Sequence, residues 1–287
     1  MNTIKQPTEE DIFDLRIGLG ESEISAEDKH FFDIAGYLVL DDLLTPDQVV
    51  QAQDTLSRVE TGTSKNITVM SNLSSGRELV NIVEEGGIVE DAMALPTVRQ
   101  YLQEFIWGQQ YRLVGSRAVH RDPGARSRLN QGGNADPRRY TRYRCFGDGQ
   151  FRCLMMTCLI ALCDTTDGDG TFCAIPTSHK ANLPHPYKNT NLDAIPPLHE
   201  IPLRAGSGVL FTENLSHALK PPVRQMHAWL SYQYGPSYMV NWPGCDASDD
   251  LLARTAADPA KSHMLLKPYY HPAGSQKKKA VSSKNTA

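Results

Sequence analysis

The second half of the chain is built from short apolar segments that are separated by turn residues. Residues 154–162 form a nearly continuous apolar run, which is typical of a buried strand. The sequence Asp167-Gly168-Asp169-Gly170 then predicts a turn. Further strands are predicted at residues 111–119, 171–176, 208–211 and 229–234. Such a series, with helices mostly ahead of it, favours a mainly β fold: a sandwich or barrel with flanking helices.

The first half contributes the predicted helices and one more strand. Residues 36–40 are strand-like, and a helix is predicted to begin after Thr45, which can cap it, with Pro46 in the first helical position. A second helix is predicted over residues 95–105, whereas the polar residues 61–75 predict a loop. We expect an irregular lead-in at residues 1–27, one domain at residues 28–273 and a disordered lysine-rich tail at residues 274–287.

The composition argues against several classes of protein. The 287 residues include 29 basic and 33 acidic side chains, a formal net charge of −4, which is unlike a generally basic nucleic-acid binder. No apolar stretch reaches the roughly 18 residues of a membrane span, and the polar amino terminus does not resemble a signal peptide. The six cysteines include no C-x-x-C pair and are expected to be reduced, mostly buried thiols. We therefore expect an intracellular, cytoplasmic protein that binds neither nucleic acid nor a membrane.

A His-x-Asp pair and a later histidine are the candidate metal ligands. An iron(II) oxygenase holds its metal with two imidazoles and one carboxylate on one face and leaves the opposite face open. In an extended backbone His120 and Asp122 project to the same side, and His217 follows a later strand. The pair is a weak signal by itself, because a surface histidine beside an Arg–Asp pair has the same sequence.

Four segments, in the right order, resemble those of the phytanoyl-CoA dioxygenase family. Residues 32–40 and 45–49 resemble its opening strand and helix, residues 169–180 its N-G-x-x-x-x-x-P-G-S-H-K signature, and residues 204–217 its distal-histidine segment. Thr177 replaces a glycine of that signature, and we expect His179 and Lys180 to hold a turn rather than to bind iron. The resemblance implies a double-stranded β-helix, also called a jelly roll.

The same resemblance implies an oxygenase that depends on iron(II) and 2-oxoglutarate and uses O2 to oxidise, most often to hydroxylate, a small organic molecule such as a secondary metabolite. His120, Asp122 and His217 would hold the iron. The family's 2-oxoglutarate-binding arginine lies on the strand after the distal histidine, where this chain has His227 or Ala228. Arg224, the nearest arginine, and His227 are therefore the candidates for binding the distal carboxylate of the cosubstrate. A guanidinium binds such a carboxylate with two parallel hydrogen bonds.

The spacing of the chain leaves a second placement of the metal site open. In the family a strand and a loop usually separate a glycine like Gly108 from the His-x-Asp pair, and His120 follows Gly108 too soon. The spacing points instead to Leu-Asn-Gln-Gly at residues 129–132, a Leu-His-x-Asp with both ligands replaced. Either His120 and Asp122 bind iron and residues 123–151 form an enlarged lid, or the iron centre is degenerate. A degenerate protein would be a non-catalytic partner of an active relative, or a metal-free isomerase or cyclase.

A basic and aromatic cluster occupies residues 138–144. Arg142 and Arg144 are the candidate substrate-binding residues, because guanidinium groups can clamp a phosphate, a carboxylate or a CoA-like group. A solvated loop face is the alternative. The expected partner is a small-molecule substrate, and the assembly is left open between a homodimer and a heterodimer with an active relative.

Overall fold

The computed structural model contains twelve strands and six α-helices in the part of the chain that it describes, residues 24–62, 66–72, 76–106, 111–130, 132–133, 141–145, 151–237, 239 and 247–265. The strands are β1 (Tyr37–Leu40), β2 (Thr68–Asn72), β3 (Gly76–Val80), β4 (Tyr111–Arg121), β5 (Tyr143–Cys145), β6 (Phe151–Cys153), β7 (Met156–Ala161), β8 (Phe172–Ile175), β9 (His199–Ile201), β10 (Gly208–Thr212), β11 (Ser216–Leu219) and β12 (His227–Pro236). The helices are α1 (Ala26–Ala35), α2 (Pro46–Thr61), α3 (Ile88–Asp91), α4 (Pro96–Phe105), α5 (Asp249–Thr255) and α6 (Pro259–Leu265).

Two antiparallel sheets form the barrel. The larger has the strand order β1-β10-β7-β12-β4-β3-β2, and the smaller has the order β11-β8-β9. The apolar run of the sequence becomes β7, which is buried at every position because the large sheet is covered on both faces. This arrangement confirms the predicted fold class, mainly β with flanking helices, and the double-stranded β-helix.

The inner face of the large sheet packs against the small sheet. Phe172 and Ala174 of β8 share one apolar cluster with Phe211 of β10 and Trp229 of β12. Because side chains alternate along a strand, Trp229 fixes which positions of β12 point into the barrel. We call this side of the large sheet the inner face.

The outer face of the large sheet packs against the helices. Ala118 of β4 and Leu230 of β12 belong to a second cluster with residues of α2 and α4. The hydroxyl of Tyr232 donates a hydrogen bond to the carbonyl of Val89 at 2.8 Å, which anchors α3 to this face. The outer face is therefore a closed hydrophobic core rather than a cavity.

The start of α2 agrees with its sequence. The Thr45 side chain accepts a hydrogen bond from the backbone N–H of Gln48 at 3.3 Å, and the Gln48 side chain accepts one from the Thr45 N–H at 2.9 Å. This reciprocal capping box satisfies two of the N–H groups that a helix leaves open at its first turn.

The signature around Thr177 forms a turn, as predicted. Thr177 has a φ of 68°, a left-handed conformation that glycine adopts more easily. His179 is fully buried with Nε2 3.1 Å from the carbonyl oxygen of Asp33, and Nζ of Lys180 lies 2.9 Å from the Asp33 carboxylate. These residues tie the turn to the end of α1.

Some local predictions need correction. The loop predicted at residues 61–75 contains β2, an edge strand that pairs with β3 and whose side chains lack an apolar alternation. Helix α1 starts inside the predicted lead-in, and the rest of that lead-in, residues 1–23, lies outside the described residues together with the tail at 274–287. The predicted lid at residues 123–151 includes strand β5, which forms a hairpin with β6.

The cysteine prediction is confirmed for the described residues. Cys153, Cys158 and Cys173 are buried free thiols, Cys163 is half-buried and Cys145 is exposed. Cys245 lies outside the described residues. Burial raises the pKa of the Cys158 thiol to about 12, so this group is an inert core residue rather than a nucleophile.

Candidate functional site

His120 lies on the outer face of the large sheet. It stands opposite Ala228 of β12 and is only 2% exposed. Its Nδ1 atom is 2.7 Å from Oε1 of Glu60 in α2, and Nη1 of Arg77 is 3.3 Å from the same oxygen. His120 is therefore a buried core histidine that links the sheet to α2.

His217 belongs to the small sheet and lies on the inner side of the large sheet. It projects from β11 into the barrel, where its ring centroid is 4.5 Å from that of Phe211 and 5.9 Å from that of Phe172. It is 9% exposed. The structure thus does not bring His120 and His217 together.

The structure therefore does not bring the predicted ligands His120, Asp122 and His217 together. Asp122 is exposed just beyond the end of β4. His120 faces the helices, on the outer side of the sheet. Within the described ranges, no group of three His, Cys, Asp or Glu side chains could hold a metal ion.

Asn130, Gly132 and Gly133 lie beside β11 and the turn that precedes it. The backbone N–H of Asn130 donates to the carbonyl of His217 at 2.8 Å, and the N–H of Gly133 donates to the carbonyl of Asn214 at 2.6 Å. The N–H of Gly132 also donates to the Ser216 hydroxyl at 3.2 Å. Asn130 and Gly132, the residues of the second placement, therefore lie beside His217 and Ser216.

Asn130 meets His217 through its side chain. The amide nitrogen Nδ2 of Asn130 is 3.1 Å from Nε2 of His217, and Nδ1 of His217 is 2.8 Å from the carbonyl oxygen of Leu215. Because a carbonyl can only accept, Nδ1 carries the ring proton and Nε2 is left with its lone pair. Nε2 then accepts a hydrogen bond from the Asn130 amide, at the position where the resemblance would place a metal ligand.

Gly132 has no room for a side chain. A Cβ atom on it would lie 2.3 Å from the carbonyl oxygen of Asn214 and 2.5 Å from the backbone nitrogen of Ser216. These contacts are with backbone atoms, which cannot rotate away as a side chain could. A carboxylate could not be placed here without moving β11, so the described residues around His217 do not fit a three-ligand iron centre.

The two candidates for cosubstrate binding lie in different environments. Arg224 is exposed on the loop between β11 and β12. His227 begins β12 on the inner face and is 3% exposed, and its Nδ1 atom has no hydrogen-bond partner among the described residues. Ala228 points to the outer face, opposite His120. Of these positions, only His227 lies inside the barrel.

Arg121 is a residue that the sequence analysis passed over. It is the middle residue of His120-Arg121-Asp122, so the alternation that turns His120 outward turns Arg121 to the inner face. It stands directly opposite His227 across the β4–β12 ladder. Burial lowers the pKa of the Arg121 guanidinium, and the nearby Glu78 carboxylate partly offsets this. The strand alternation could have identified it, had the facing side of β4 been known.

Arg142 and Arg144 lie at the hairpin β5–β6. Arg142 is half-buried, Arg144 is exposed, and Arg144 stands opposite Arg152 of β6. Most of the rest of the basic cluster, residues 138–140, lies outside the described residues. A substrate-binding role for Arg142 and Arg144 stays a prediction.

Two comparisons address the family and one addresses the fold. The family model described as phytanoyl-CoA dioxygenase matches residues 32–221. Among curated proteins, none matches this chain.

No helix within the described ranges is long and apolar enough to cross a membrane.

Several solved structures have a similar fold. HygX from Streptomyces hygroscopicus, with nickel and 2-oxoglutarate bound, is 21% identical with a TM-score of 0.66 over 80% of this chain and 94% of its own. EctD from S. alaskensis in its apoform is 18% identical with a TM-score of 0.58 over 79% and 83%. The carbocyclase SnoK of nogalamycin biosynthesis, described as non-heme and α-ketoglutarate dependent, is 16% identical with a TM-score of 0.56 over 80% and 90%. At these identities the likeness establishes the fold.

Proposed function

Because the chain belongs to the phytanoyl-CoA dioxygenase family, we propose that it is a metal-independent member that binds a small organic molecule in its barrel. The proposal rests on one observation: the side-chain amide of Asn130 is hydrogen-bonded to Nε2 of His217, with Nδ2 and Nε2 3.1 Å apart. A metal could bind this nitrogen only by displacing the Asn130 amide. The two sheets of the family fold remain.

The iron(II)- and 2-oxoglutarate-dependent hydroxylation implied by the resemblance needs more ligands than the described residues of this site supply. A facial site takes two imidazoles and one carboxylate. Here His217 is one imidazole, Asn130 offers a carboxamide and Gly132 offers no side chain. The carboxamide is a poor iron ligand, and the close backbone around Gly132 leaves no space for a substitute. The proposed function therefore involves no iron chemistry.

His217 suggests a second candidate function. Its neutral imidazole is held by the Leu215 carbonyl and presents Nε2 as an acceptor at the barrel wall. Asn130 is exposed, so a ligand could displace its amide and meet this nitrogen. A metal-free isomerase or cyclase would use such a histidine as a general base. The epimerase SnoN and the carbocyclase SnoK have a similar fold, and both are described as non-heme and α-ketoglutarate dependent. They show reactions other than hydroxylation on this fold, and a metal-free reaction is the proposal's own addition.

Metal content tests the proposal directly. The purified full-length protein is incubated anaerobically with iron(II), freed of excess metal and analysed by elemental mass spectrometry. HygX, which has a similar fold and whose structure has been solved with iron bound, is treated in parallel. We expect HygX to retain iron and this chain to retain none. Stoichiometric iron in the wild type that disappears in His217→Ala would refute the proposal and favour the oxygenase.

We also propose that the chain associates with a second subunit. A barrel that binds a ligand without iron chemistry can serve as the non-catalytic subunit beside an active relative, and a homodimer is the simpler alternative. Sedimentation of the purified chain, alone and mixed with a catalytically active family member from the same source, separates a self-association from a heterodimer.

A further inference from the structure

We propose that strand β2 is the surface through which two copies of this chain associate, as a symmetric antiparallel pair of β2 strands. Strand β2 is the last strand of the large sheet, and among the described strands it pairs with β3 alone. This inference rests on the association with a second subunit that is part of the proposed function, and it names the surface and the partner. It does not depend on whether the barrel binds iron.

The outer edge of β2 is open to backbone hydrogen bonding. The N–H of Asn81, just after β3, donates to the carbonyl of Ser116 in β4 at 2.8 Å. The odd-numbered residues of β3 therefore direct their backbone groups to β4, and the even-numbered residues direct theirs to β2. Because Met70 pairs with an even-numbered residue of β3, its backbone groups are used inside the sheet. The N–H and C=O groups of Val69 and Ser71 consequently point away from β3, where a second strand could bind.

Apolar side chains are exposed on both faces of this edge. Val69 lies on the outer face opposite Leu79 and is 52% exposed, although Leu79 itself is fully buried. Met70 lies on the inner face opposite Glu78 and is 56% exposed. A further strand beside β2 would cover one flank of both apolar side chains, and removing apolar surface from water is favourable.

Strand β2 lacks the residues that usually protect an edge strand. Natural edges carry lysine or other charges, proline or a bulge, each of which opposes pairing with another chain. The sequence 66–76 contains no charged residue and no proline, and β2 pairs with β3 without a shift in register. By contrast, β1 at the opposite edge of the same sheet is followed directly by the exposed Asp41 and Asp42, and β9 of the small sheet contains Glu200.

The absence of charge favours a second copy as the partner. A twofold axis places β2 against the same strand of the other copy, so a charge on this edge would face its own sign. Since β2 has none, the N–H and C=O groups of Val69 and Ser71 can pair with those of the other copy without electrostatic repulsion. A charged partner peptide would find no opposite charge on this strand. The charged residues of β3 behind it, Arg77 and Glu78, each form an ion pair within the chain.

Sedimentation velocity of the full-length protein in EDTA tests this surface. Val69→Lys and Val69→Asp each add a charge to the edge. Val69→Pro removes the outward N–H, and proline is tolerated on an edge strand where the N–H faces solvent. Val50→Lys is the matched control, because Val50 is 54% exposed but lies on helix α2. Far-ultraviolet circular dichroism and the melting temperature of each variant show that it is folded.

We expect the wild type and Val50→Lys to sediment as dimers. Val69→Lys and Val69→Asp should each weaken dimer formation at least about tenfold, because like charges opposite or diagonal to each other across a strand pair repel. Val69→Pro should weaken it through the lost backbone hydrogen bonds. An equimolar mixture of Val69→Lys and Val69→Asp should restore the dimer, because unlike charges then face each other.

A monomeric wild type, a dimer that every Val69 variant retains, or a mixture of the two charged variants that stays monomeric overturns the inference. Since EDTA is present throughout, these results are independent of iron uptake. A failure of this surface is thus distinguished from a failure of the metal-independent function, which the iron content tests separately.

Discussion

Nδ2 of Asn130 lies 3.1 Å from Nε2 of His217, so a carboxamide hydrogen bond takes the place where the family resemblance implies a metal–imidazole bond. The backbone of Asn130 is tied to the same residue, through its N–H and the His217 carbonyl at 2.8 Å. Both contacts hold Asn130 against β11.

Replacing Asn130 by histidine should create a weak metal site. The variant Asn130→His would place a second imidazole next to His217, and imidazoles suit nickel(II) and other late first-row metals. We expect calorimetry to detect nickel(II) binding by the variant and none by the wild type. The double variant Asn130→His, His217→Ala should lose the gain; equally tight nickel binding by the wild type would contradict the account.

Gly132 should not tolerate even a methyl group. Gly132→Ala places a Cβ atom 2.3 Å from the Asn214 carbonyl oxygen, so β11 must shift. Overpacking of this kind costs about 1–3 kcal/mol, and we expect the free energy of unfolding to fall by that amount or more in urea titrations.

Gly124 provides the control for this substitution. A Cβ atom on Gly124 has no neighbour within 4 Å, although its φ of 73° is unfavourable for alanine. Gly124→Ala should therefore cost only about 1 kcal/mol, from backbone strain. A Gly132→Ala variant that is no less stable than Gly124→Ala would contradict the close approach of Gly132 to Asn214 and Ser216.

His120 should matter for stability and not for ligand binding. His120→Ala removes one of the two groups that contact the half-buried Glu60 carboxylate beneath α2, where Nδ1 and Oε1 are 2.7 Å apart, and Arg77 remains. Losing a hydrogen bond to a charged group costs about 1.5–3 kcal/mol, which urea unfolding would measure. The metal content of the variant should equal that of the wild type, because His120 points to the opposite face. Metal that the wild type retains and a folded His120→Ala variant loses would place His120 in the functional site after all.

The buried His179 predicts a pH dependence of stability. Burial, with a contribution from Lys180, lowers the pKa of His179 from 6.5 to about 4. The unfolded state then binds more protons than the folded state between these values, so stability is complete above about pH 6.5 and falls as the pH drops towards 4. At about 1.4 kcal/mol per pH unit, about 2 kcal/mol should be lost between pH 6.5 and 5.

Urea unfolding of the wild type and His179→Gln across this range measures the effect. The variant should lose the pH-dependent part of the stability. Asp33, which contacts the same turn, does not interfere: burial raises its pKa, but hydrogen bonds from Tyr143 and Lys180 bring it below 3.8, outside the range. Parallel profiles for wild type and variant would exclude His179 as the titrating group.

The fold could be predicted well because its signals are local. The apolar run of β7, the capping box at Thr45 and the turn at Asp167-Gly168 each depend on neighbouring residues, and each is present in the structure. Strand β2 was not predictable in this way, since an exposed edge strand needs no apolar alternation.

The site was predicted only in part, because the sequence does not show which face of a strand points inward. Alternation placed His120 and Asp122 on one side, but packing against α2 decides that this side is the outer one. His217 was identified from the resemblance, and the spacing argument for residues 129–132 agrees with the contacts of Asn130 and Gly132 beside β11.

An anaerobic iron(II) titration in the presence of 2-oxoglutarate tests the central claim most directly. The readout is the weak visible charge-transfer band of an iron–oxoglutarate chelate, recorded for the wild type, Asn130→His and His217→Ala. The account predicts no band in the wild type, because Asn130 and Gly132 supply no ligands beside His217. A band in the wild type that disappears in His217→Ala would contradict it and would mean that residues other than those described complete a working iron centre.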